Sequence, residues 1–134
     1  MTAAHTGKQV LVVDDDRAVL RLLSQWLTGA GYAVVACDRF ETAKQHLAEA
    51  PPDILLADVR LGAFNGLQLV ILAKEQTPGM VAIAMSAFDD PMLRRDAALC
   101  GAGYLAKPFS QMQVLASLGE VSQSKEADGA ESSR

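Results

Sequence analysis

Six residues with acidic, hydroxyl or amino side chains each lie at the end of a short apolar run. These residues are Asp14, Asp15, Asp16, Asp58, Ser86 and Lys107. Carboxylates that crowd together repel one another unless a cation neutralises them, and hard oxygen ligands suit Mg²⁺ or Mn²⁺. A hydroxyl and an ammonium group beside such a cation complete what phosphoryl transfer needs, because that reaction depends mainly on positioning and charge neutralisation. No Gly-rich phosphate-binding loop is present, so no nucleotide is implied.

The elements that must position these residues alternate along the chain. Short β-branched apolar runs alternate with segments of helical periodicity, which predicts a parallel sheet covered by helices. The predicted strands are residues 9–13, 32–37, 53–57, 80–85 and 103–106. The predicted helices are residues 17–28, 41–50, 66–76, 91–100 and 110–121. Because ligands bind at the carboxyl ends of strands in open sheets, we expect the six polar residues to converge on one edge.

Some helix ends are marked by residues with known capping preferences. Gly29 and Gly31 are expected to end the first helix, and Ser110 is expected to cap the last one. Asp16 has two interpretations, an N-cap of the first helix or a further ligand in the acidic cluster. The segment from 58 to 65, which contains Gly62, is predicted to be a loop.

The length and composition indicate one globular domain. The chain has 134 residues, of which 50% are hydrophobic and 21% are charged. We expect a flexible segment at residues 1–7, a domain at 8–121 and a disordered polar tail at 122–134. The formal net charge of −4 argues against direct binding of nucleic acid.

Membrane and redox signals are also informative. The apolar run at residues 67–73 is too short to cross a bilayer, and the polar N-terminal stretch lacks the apolar segment of a secretory signal. We therefore expect a cytoplasmic protein without membrane contact. Cys37 and Cys100 lie in apolar stretches without metal-ligand spacing, which predicts buried reduced thiols. His46, between charged neighbours on a helix, is expected to be a solvated surface residue.

Four sequence motifs resemble those of bacterial response-regulator receiver domains. They are Leu-Val-Val-Asp-Asp-Asp at 11–16, Asp-Ile-Leu-Leu-Ala-Asp-Val-Arg-Leu at 53–61, Met-Ser-Ala at 85–87 and Gly-Tyr-Leu-Ala-Lys-Pro-Phe at 103–109. Their order and spacing also match, over residues 8–121. The resemblance implies a flavodoxin-like receiver fold, which is a doubly wound, five-stranded parallel sheet flanked by five helices.

The resemblance also implies roles for individual residues. Asp58 would accept the phosphoryl group. Mg²⁺ would be bound by Asp15 directly, by Asp14 directly or through water, by Asp58, and by the backbone carbonyl of Arg60. Ser86 would hydrogen-bond one phosphoryl oxygen. Lys107, which would precede a cis bond to Pro108, would pair with another oxygen.

Tyr104 is expected to move inward when Ser86 moves toward the phosphoryl group. Through this coupling the surface made by the fourth helix, fifth strand and fifth helix would respond to phosphorylation. Arg94 and Arg95 on the fourth helix are read as a solvated face or a partner contact. Arg60 and Phe88 stand where relatives tune the lifetime of the phosphoryl group, and their bulk predicts slow self-dephosphorylation. Gly62 stands where many relatives have proline, so we expect a more mobile loop after Asp58.

These expectations describe a phosphorylation-activated switch of a two-component system. Its partners would be a sensor histidine kinase or phosphotransfer protein and a downstream effector protein, and it would be a monomer or a weak dimer. It would catalyse only its own phosphorylation and dephosphorylation.

Three alternatives remain open at the level of sequence. The chain could be the receiver of a longer regulator, for example a DNA-binding one, or a pseudo-receiver that binds partners without phosphorylation. The third alternative is a haloacid-dehalogenase-like phosphatase, which would use Asp14 and Asp16. That class wants a further acidic pair after Lys107, and none follows in place.

Overall fold

The protein was analysed as a computed structural model that describes residues 7–87 and 89–119. Its five-stranded sheet is parallel throughout, with the order β2-β1-β3-β4-β5. The strands are β1 Gln9–Val13, β2 Ala33–Cys37, β3 Ile54–Asp58, β4 Val81–Ser86 and β5 Gly103–Ala106. The order reverses between β1 and β3, which makes the sheet doubly wound, as expected.

Five helices cover the two faces of this sheet. They are α1 Arg17–Gly29, α2 Phe40–Glu49, α3 Leu67–Gln76, α4 Pro91–Leu99 and α5, of which residues 111–119 are described. The predicted α/β architecture is therefore confirmed, with element boundaries that shift by one or two residues. None of the helices in the described ranges is both long and apolar enough to cross a membrane.

The two cores follow from the two-residue period of the strands. Leu11 and Val13 in β1 point to the face covered by α2, α3 and α4, whereas Val10 and Val12 point to the face covered by α1 and α5. Because both faces are covered, the central strands read as continuous apolar runs, and every residue of β3 is buried. This burial fixes the register of β3, and hence the position of Asp58 at its end.

Capping interactions fix where helices begin. The Asp16 carboxylate accepts hydrogen bonds from the N–H groups of Ala18 at 2.9 Å and Val19 at 3.4 Å, so Asp16 is the N-cap of α1. Ser110 and Gln113 form a reciprocal capping box at the start of α5, with distances of 2.8 and 3.1 Å. The prediction for Ser110 is confirmed, and the two interpretations of Asp16 are resolved in favour of the cap.

Two helices end in the same glycine motif. Gly31 after α1 and Gly101 after α4 both have positive φ angles, of 99° and 83°. In each case the N–H of the glycine and the N–H of the next residue donate to carbonyls of the last helical turn, which is the Schellman arrangement. Gly29 is the last residue of α1, and Gly31 has the positive φ two residues later, so both glycines lie at the end of this helix as predicted.

The prediction of a loop for residues 58–65 is wrong in part. Arg60–Leu61 and Phe64–Asn65 form a short antiparallel hairpin, which we call the acceptor hairpin. Its two-residue turn begins at Gly62, which has a φ of 62°. A positive φ at this position matches the twist of hairpin strands and favours glycine, which explains why pairing is possible here.

Two predictions of burial need correction. Cys37 and Cys100 are free thiols, as predicted, but each is half-buried rather than buried. His46 is half-buried rather than solvated, and its Nε2 is enclosed without a hydrogen-bond partner among the described residues. The prediction for His46 was wrong because charged neighbours along a helix do not show which face of the helix packs against the sheet.

Candidate functional site

The carboxyl ends of four neighbouring strands bring the predicted site residues together. Asp14 follows β1, Asp58 ends β3, Ser86 ends β4 and Lys107 follows β5. Direct backbone hydrogen bonds tie these ends to each other, from the N–H of Lys107 to the carbonyl of Ser86 at 2.7 Å and from the N–H of Val59 to the carbonyl of Met85 at 2.8 Å. The sheet thus positions the site residues rigidly.

Three carboxylates form the centre of the site. Asp14, Asp15 and Asp58 each offer an oxygen atom, and these atoms all lie within 4.8 Å of one another. Asp14 is fully buried, Asp58 is 6% exposed and Asp15 is exposed. The cluster is therefore buried on one side and open to solvent at Asp15.

Lys107 pairs more closely with Asp14 than with Asp58. Its Nζ lies 2.7 Å from Asp14 Oδ2 and 3.4 Å from Asp58 Oδ2. The other oxygen of Asp14 accepts a hydrogen bond from the N–H of Asp16 at 2.9 Å. One ammonium group facing three carboxylates leaves a surplus of negative charge, and a set of oxygen donors with such a surplus fits a hard divalent cation.

The pKa values reflect this crowding. Burial and the charge of Asp14 raise the pKa of Asp58 to about 6, although Lys107 and the N–H of Arg60 act in the opposite direction. Burial works to lower the pKa of Lys107, but the hydrogen bond and charge of Asp14 outweigh it, and the net pKa is raised. Lys107 therefore stays a cation across the physiological range.

The acceptor hairpin contributes backbone donors to the cluster. The N–H of Arg60 donates to Asp58 Oδ1 at 3.4 Å, and the N–H of Gly62 donates to Asp15 Oδ2 at 3.3 Å. The side chain of Arg60 is exposed. The role of its backbone carbonyl as a metal ligand stays a prediction.

Gly66 closes the chain tightly behind Asp58, which sequence reasoning missed. Its N–H donates to the carbonyl of Val59 at 2.6 Å. A Cβ atom placed on Gly66 would collide with the backbone carbonyl of Asp58. A glycine at the start of a helix is a common sequence feature, so its spacing alone did not reveal this close approach.

The residues expected to act as the switch lie along β4 and β5. Ser86 is buried at 1% exposure, and Tyr104 is half-buried. The guanidinium carbon of Arg94 lies 4.7 Å from the centroid of the Tyr104 ring, and Arg94 Nε pairs with Asp89 Oδ1 at 2.6 Å. Arg94 was expected to be a solvated face or a partner contact, and its stacking on Tyr104 was not foreseen.

The remaining predicted features are resolved in different ways. The Lys107-Pro108 peptide bond is cis, as the resemblance implied. Phe88 lies outside the described residues, as do the predicted N-terminal segment up to residue 6 and the polar tail at 122–134. The predicted domain limits and the slow loss of the phosphoryl group stay predictions.

Comparison with known proteins identifies the family. A family model described as the response regulator receiver domain matches residues 10–119. The chain belongs to this family. As a receiver domain it is related to two-component response regulators, and the phosphatase interpretation based on Asp14 and Asp16 is set aside. Receiver domains typically bind Mg²⁺ at an acidic pocket, and Asp14, Asp15 and Asp58 form an acidic cluster in this chain.

Its curated relatives are much longer proteins. The DNA-binding transcriptional regulator NtrC of Escherichia coli K12 is 34% identical over 108 residues, which cover 80% of this chain and 23% of NtrC. The alginate biosynthesis transcriptional regulatory protein AlgB of Pseudomonas aeruginosa is 32% identical over 114 residues, which cover 84% of this chain and 25% of AlgB. The chain thus spans about a quarter of the length of these relatives.

Solved structures support the same fold. A CheY-like receiver domain protein from Methanospirillum hungatei superposes with a TM-score of 0.84 at 25% identity, covering 90% of this chain and 98% of that one. Chemotaxis response regulator CheY4 of Vibrio cholerae gives a TM-score of 0.80 at 26% identity, covering 87% of this chain and 99% of CheY4. Both likenesses extend over nearly the whole of the compared structures.

Proposed function

We propose that this receiver domain accepts a phosphoryl group on Asp58 and signals its phosphorylation state through the surface of α4, β5 and α5. The observation that carries the proposal is the cluster of Asp14, Asp15, Asp58 and Lys107 at the carboxyl edge of the sheet. A buried carboxylate beside two others and one lysine has little value for stability, since its pKa is raised. A carboxyl group with such a raised pKa is typical of functional sites, and phosphoryl transfer to Asp58 accounts for the crowding of carboxylates here.

Mg²⁺, or Mn²⁺ in its place, would be held by Asp14, Asp15, Asp58 and the backbone carbonyl of Arg60. A bound cation would neutralise the cluster, so that an anionic phosphoryl donor could approach. The protein's own contribution is to hold the carboxylates in place: Asp14 through Lys107, Asp15 through the N–H of Gly62, and Asp58 through the end of β3.

The donor would be the phosphohistidine of a sensor histidine kinase or a phosphotransfer protein. A bond forms between an Asp58 carboxylate oxygen and phosphorus, while the bond from phosphorus to the histidine nitrogen breaks and leaves its electron pair on that nitrogen. The Lys107 ammonium would neutralise one equatorial oxygen, and the Ser86 hydroxyl would donate a hydrogen bond to another.

A concave apolar surface beside Lys107 offers a contact area for such a donor. It encloses about 410 Å³, and Leu22 on it is 43% exposed. Its lining residues are Val19, Leu22, Ala87, Lys107, Pro108 and Phe109. An apolar area next to the acceptor would let a partner dock without approaching the carboxylates first.

The output would use Tyr104. Because its ring is half-buried under Arg94, an inward movement into the space that Ser86 vacates would release Arg94 from the ring. This would change the surface offered to an effector protein. The monomeric or weakly dimeric state and the cytoplasmic location stay predictions.

A second candidate function is that of a receiver whose output lies in the same polypeptide. NtrC is described as a DNA-binding transcriptional regulator, and this chain matches about a quarter of it. In that case the α4, β5 and α5 surface would contact a linked effector domain instead of a separate protein. Binding of the isolated chain to DNA is not expected in either case, because its net charge is −4.

The proposed acceptor can be tested by chemical trapping. After incubation with acetyl phosphate and Mg²⁺, borohydride reduces an aspartyl phosphate to homoserine, and peptide mass analysis locates the change. We expect the reduced residue at position 58 alone. Reduction at Asp14 or Asp15 would contradict the assignment of Asp58 as the acceptor. Reduction at no aspartate would contradict the proposal as a whole and favour the pseudo-receiver.

A further inference from the structure

Two stacked aromatic rings hold the acceptor hairpin against the start of α2. Phe40 is the first residue of α2, and Phe64 lies in the second strand of the hairpin. Their ring centroids are 4.6 Å apart, and the ring planes differ by 12°. Phe64 is nevertheless 42% exposed, so its contact with Phe40 stabilises the hairpin without making Phe64 part of the core.

The hairpin needs this support because it is small. It has two residue pairs, Arg60 with Asn65 and Leu61 with Phe64, and two-stranded hairpins are marginal in water without outside contacts. Its base is fixed by buried Leu61 and by the hydrogen bond from the N–H of Gly66 to Val59. The residues at its tip are exposed, so the stack on Phe40 is what restrains the outer end.

The outer end matters because it touches the acidic cluster. The N–H of Gly62 donates to Asp15 Oδ2 at 3.3 Å, and Asp15 is the exposed member of the cluster. Asp14 and Asp58 are fixed by burial and by Lys107, whereas Asp15 depends on this backbone donor for its placement. Any movement of the hairpin tip therefore changes the position of one carboxylate.

We propose that Phe40 and Phe64 are positioning residues for the cation site: their stack holds the hairpin tip, so that the N–H of Gly62 orients the Asp15 carboxylate toward Asp14 and Asp58. The inference rests on the proposed function, since it assumes that the cluster binds Mg²⁺. Loss of an aromatic pair, worth ~0.5–1.5 kcal/mol, corresponds to a change in Mg²⁺ affinity of about 2- to 12-fold.

The test is a Mg²⁺ titration of the folded protein, monitored by calorimetry and by amide NMR. Phe64→Ala and Phe40→Ala should each weaken Mg²⁺ binding by about 2- to 12-fold. Because each change removes the same stack, the double variant should bind Mg²⁺ as tightly as the single variant of lower affinity. Phe64→Tyr should restore binding. Ile71→Ala, which alters a residue of similar exposure on α3, is the matched control and should bind as the wild type does.

The outcomes separate the inference from the proposed function. If the wild type binds Mg²⁺ and the Phe variants bind it equally well, or if the two single effects add in the double variant, the positioning role is overturned. If the wild type itself does not bind Mg²⁺, the proposed cation site fails. In metal-free protein the amide resonance of Gly62 should also move in Phe40→Ala, and an unchanged resonance would overturn the inference by itself.

Discussion

Replacement of Asp58 by asparagine should stabilise the metal-free protein. Burial and the charge of Asp14 raise the pKa of Asp58 from 3.8 to about 6, so the folded state resists ionisation of this side chain. A shift of this size corresponds to about 3 kcal/mol at most. Because the cluster is open to solvent at Asp15, screening reduces the cost of ionising Asp58 below this limit. We therefore expect Asp58→Asn to raise the free energy of unfolding by about 1–2 kcal/mol at pH 7.5.

The pH dependence supplies the sign of the effect. The folded-state pKa of Asp58 lies above its unfolded value, so the folded protein binds the carboxyl proton of Asp58 more tightly than the unfolded chain does. Ionisation of Asp58 therefore costs stability as the pH rises from about 4 through about 6. The wild type should therefore lose stability over that range relative to Asp58→Asn. At pH 5.5 the difference between the two proteins should be smaller than at pH 7.5.

Urea unfolding in the presence of EDTA measures both effects. Asp96→Asn is a suitable control, because it removes the same formal charge from an exposed position on α4. We expect it to change stability by less than about 0.5 kcal/mol. An Asp58→Asn protein that is less stable than the wild type at pH 7.5, or a difference that grows toward pH 5.5, would refute the reasoning.

Three further expectations follow from the same structure. Mg²⁺ at a hundred times its dissociation constant should stabilise the wild type by about 2.7 kcal/mol and therefore raise the melting temperature. Thermal unfolding with and without EDTA measures this, and an unchanged melting temperature would argue against a cation site. Gly66→Ala should lower stability by about 2 kcal/mol or more and reduce acetyl phosphate labelling, because the new Cβ meets the backbone at the end of β3, whereas Gly29→Ala has open space and should be tolerated. Arg94→Ala should shift the fluorotyrosine NMR resonance of Tyr104 and Arg95→Ala should leave it unchanged, so an equal shift in both would exclude a specific stack.

The strand ends of the site could be predicted from the sequence because they follow from periodicity. Apolar runs set the strands, burial on both faces sets their register, and the first polar residue after each run must then lie at the carboxyl edge. Asp14, Asp58, Ser86 and Lys107 were located in this way. Their convergence required only the parallel topology, which the alternation of strands and helices also indicated.

Contacts between distant side chains could not be predicted in the same way. The closer pairing of Lys107 with Asp14 than with Asp58 joins residues 93 positions apart, and a difference of less than 1 Å decides it. The stack of Phe40 on Phe64 depends on how α2 approaches the acceptor hairpin. No local pattern encodes such an approach.

Ambiguous residues were resolved only by geometry. Asp16 has the right chemistry for a ligand, but its carboxylate is engaged by the first N–H groups of α1. Arg94 looked like any charged residue on a helix surface, yet it lies over Tyr104 and pairs with Asp89. In both cases the residue type was compatible with several roles, and the contacts with neighbouring residues in the fold decided which role applies.

The central claim is that Asp58 accepts a phosphoryl group, and intact-mass analysis tests it most directly. Wild type, Asp58→Asn and the Asp96→Asn control would be incubated with acetyl phosphate and Mg²⁺, and a parallel series would contain EDTA. We expect a gain of one phosphoryl group in the wild type and in Asp96→Asn with Mg²⁺ only, and none in Asp58→Asn. An equal gain in Asp58→Asn, or no gain in the wild type, would contradict the claim.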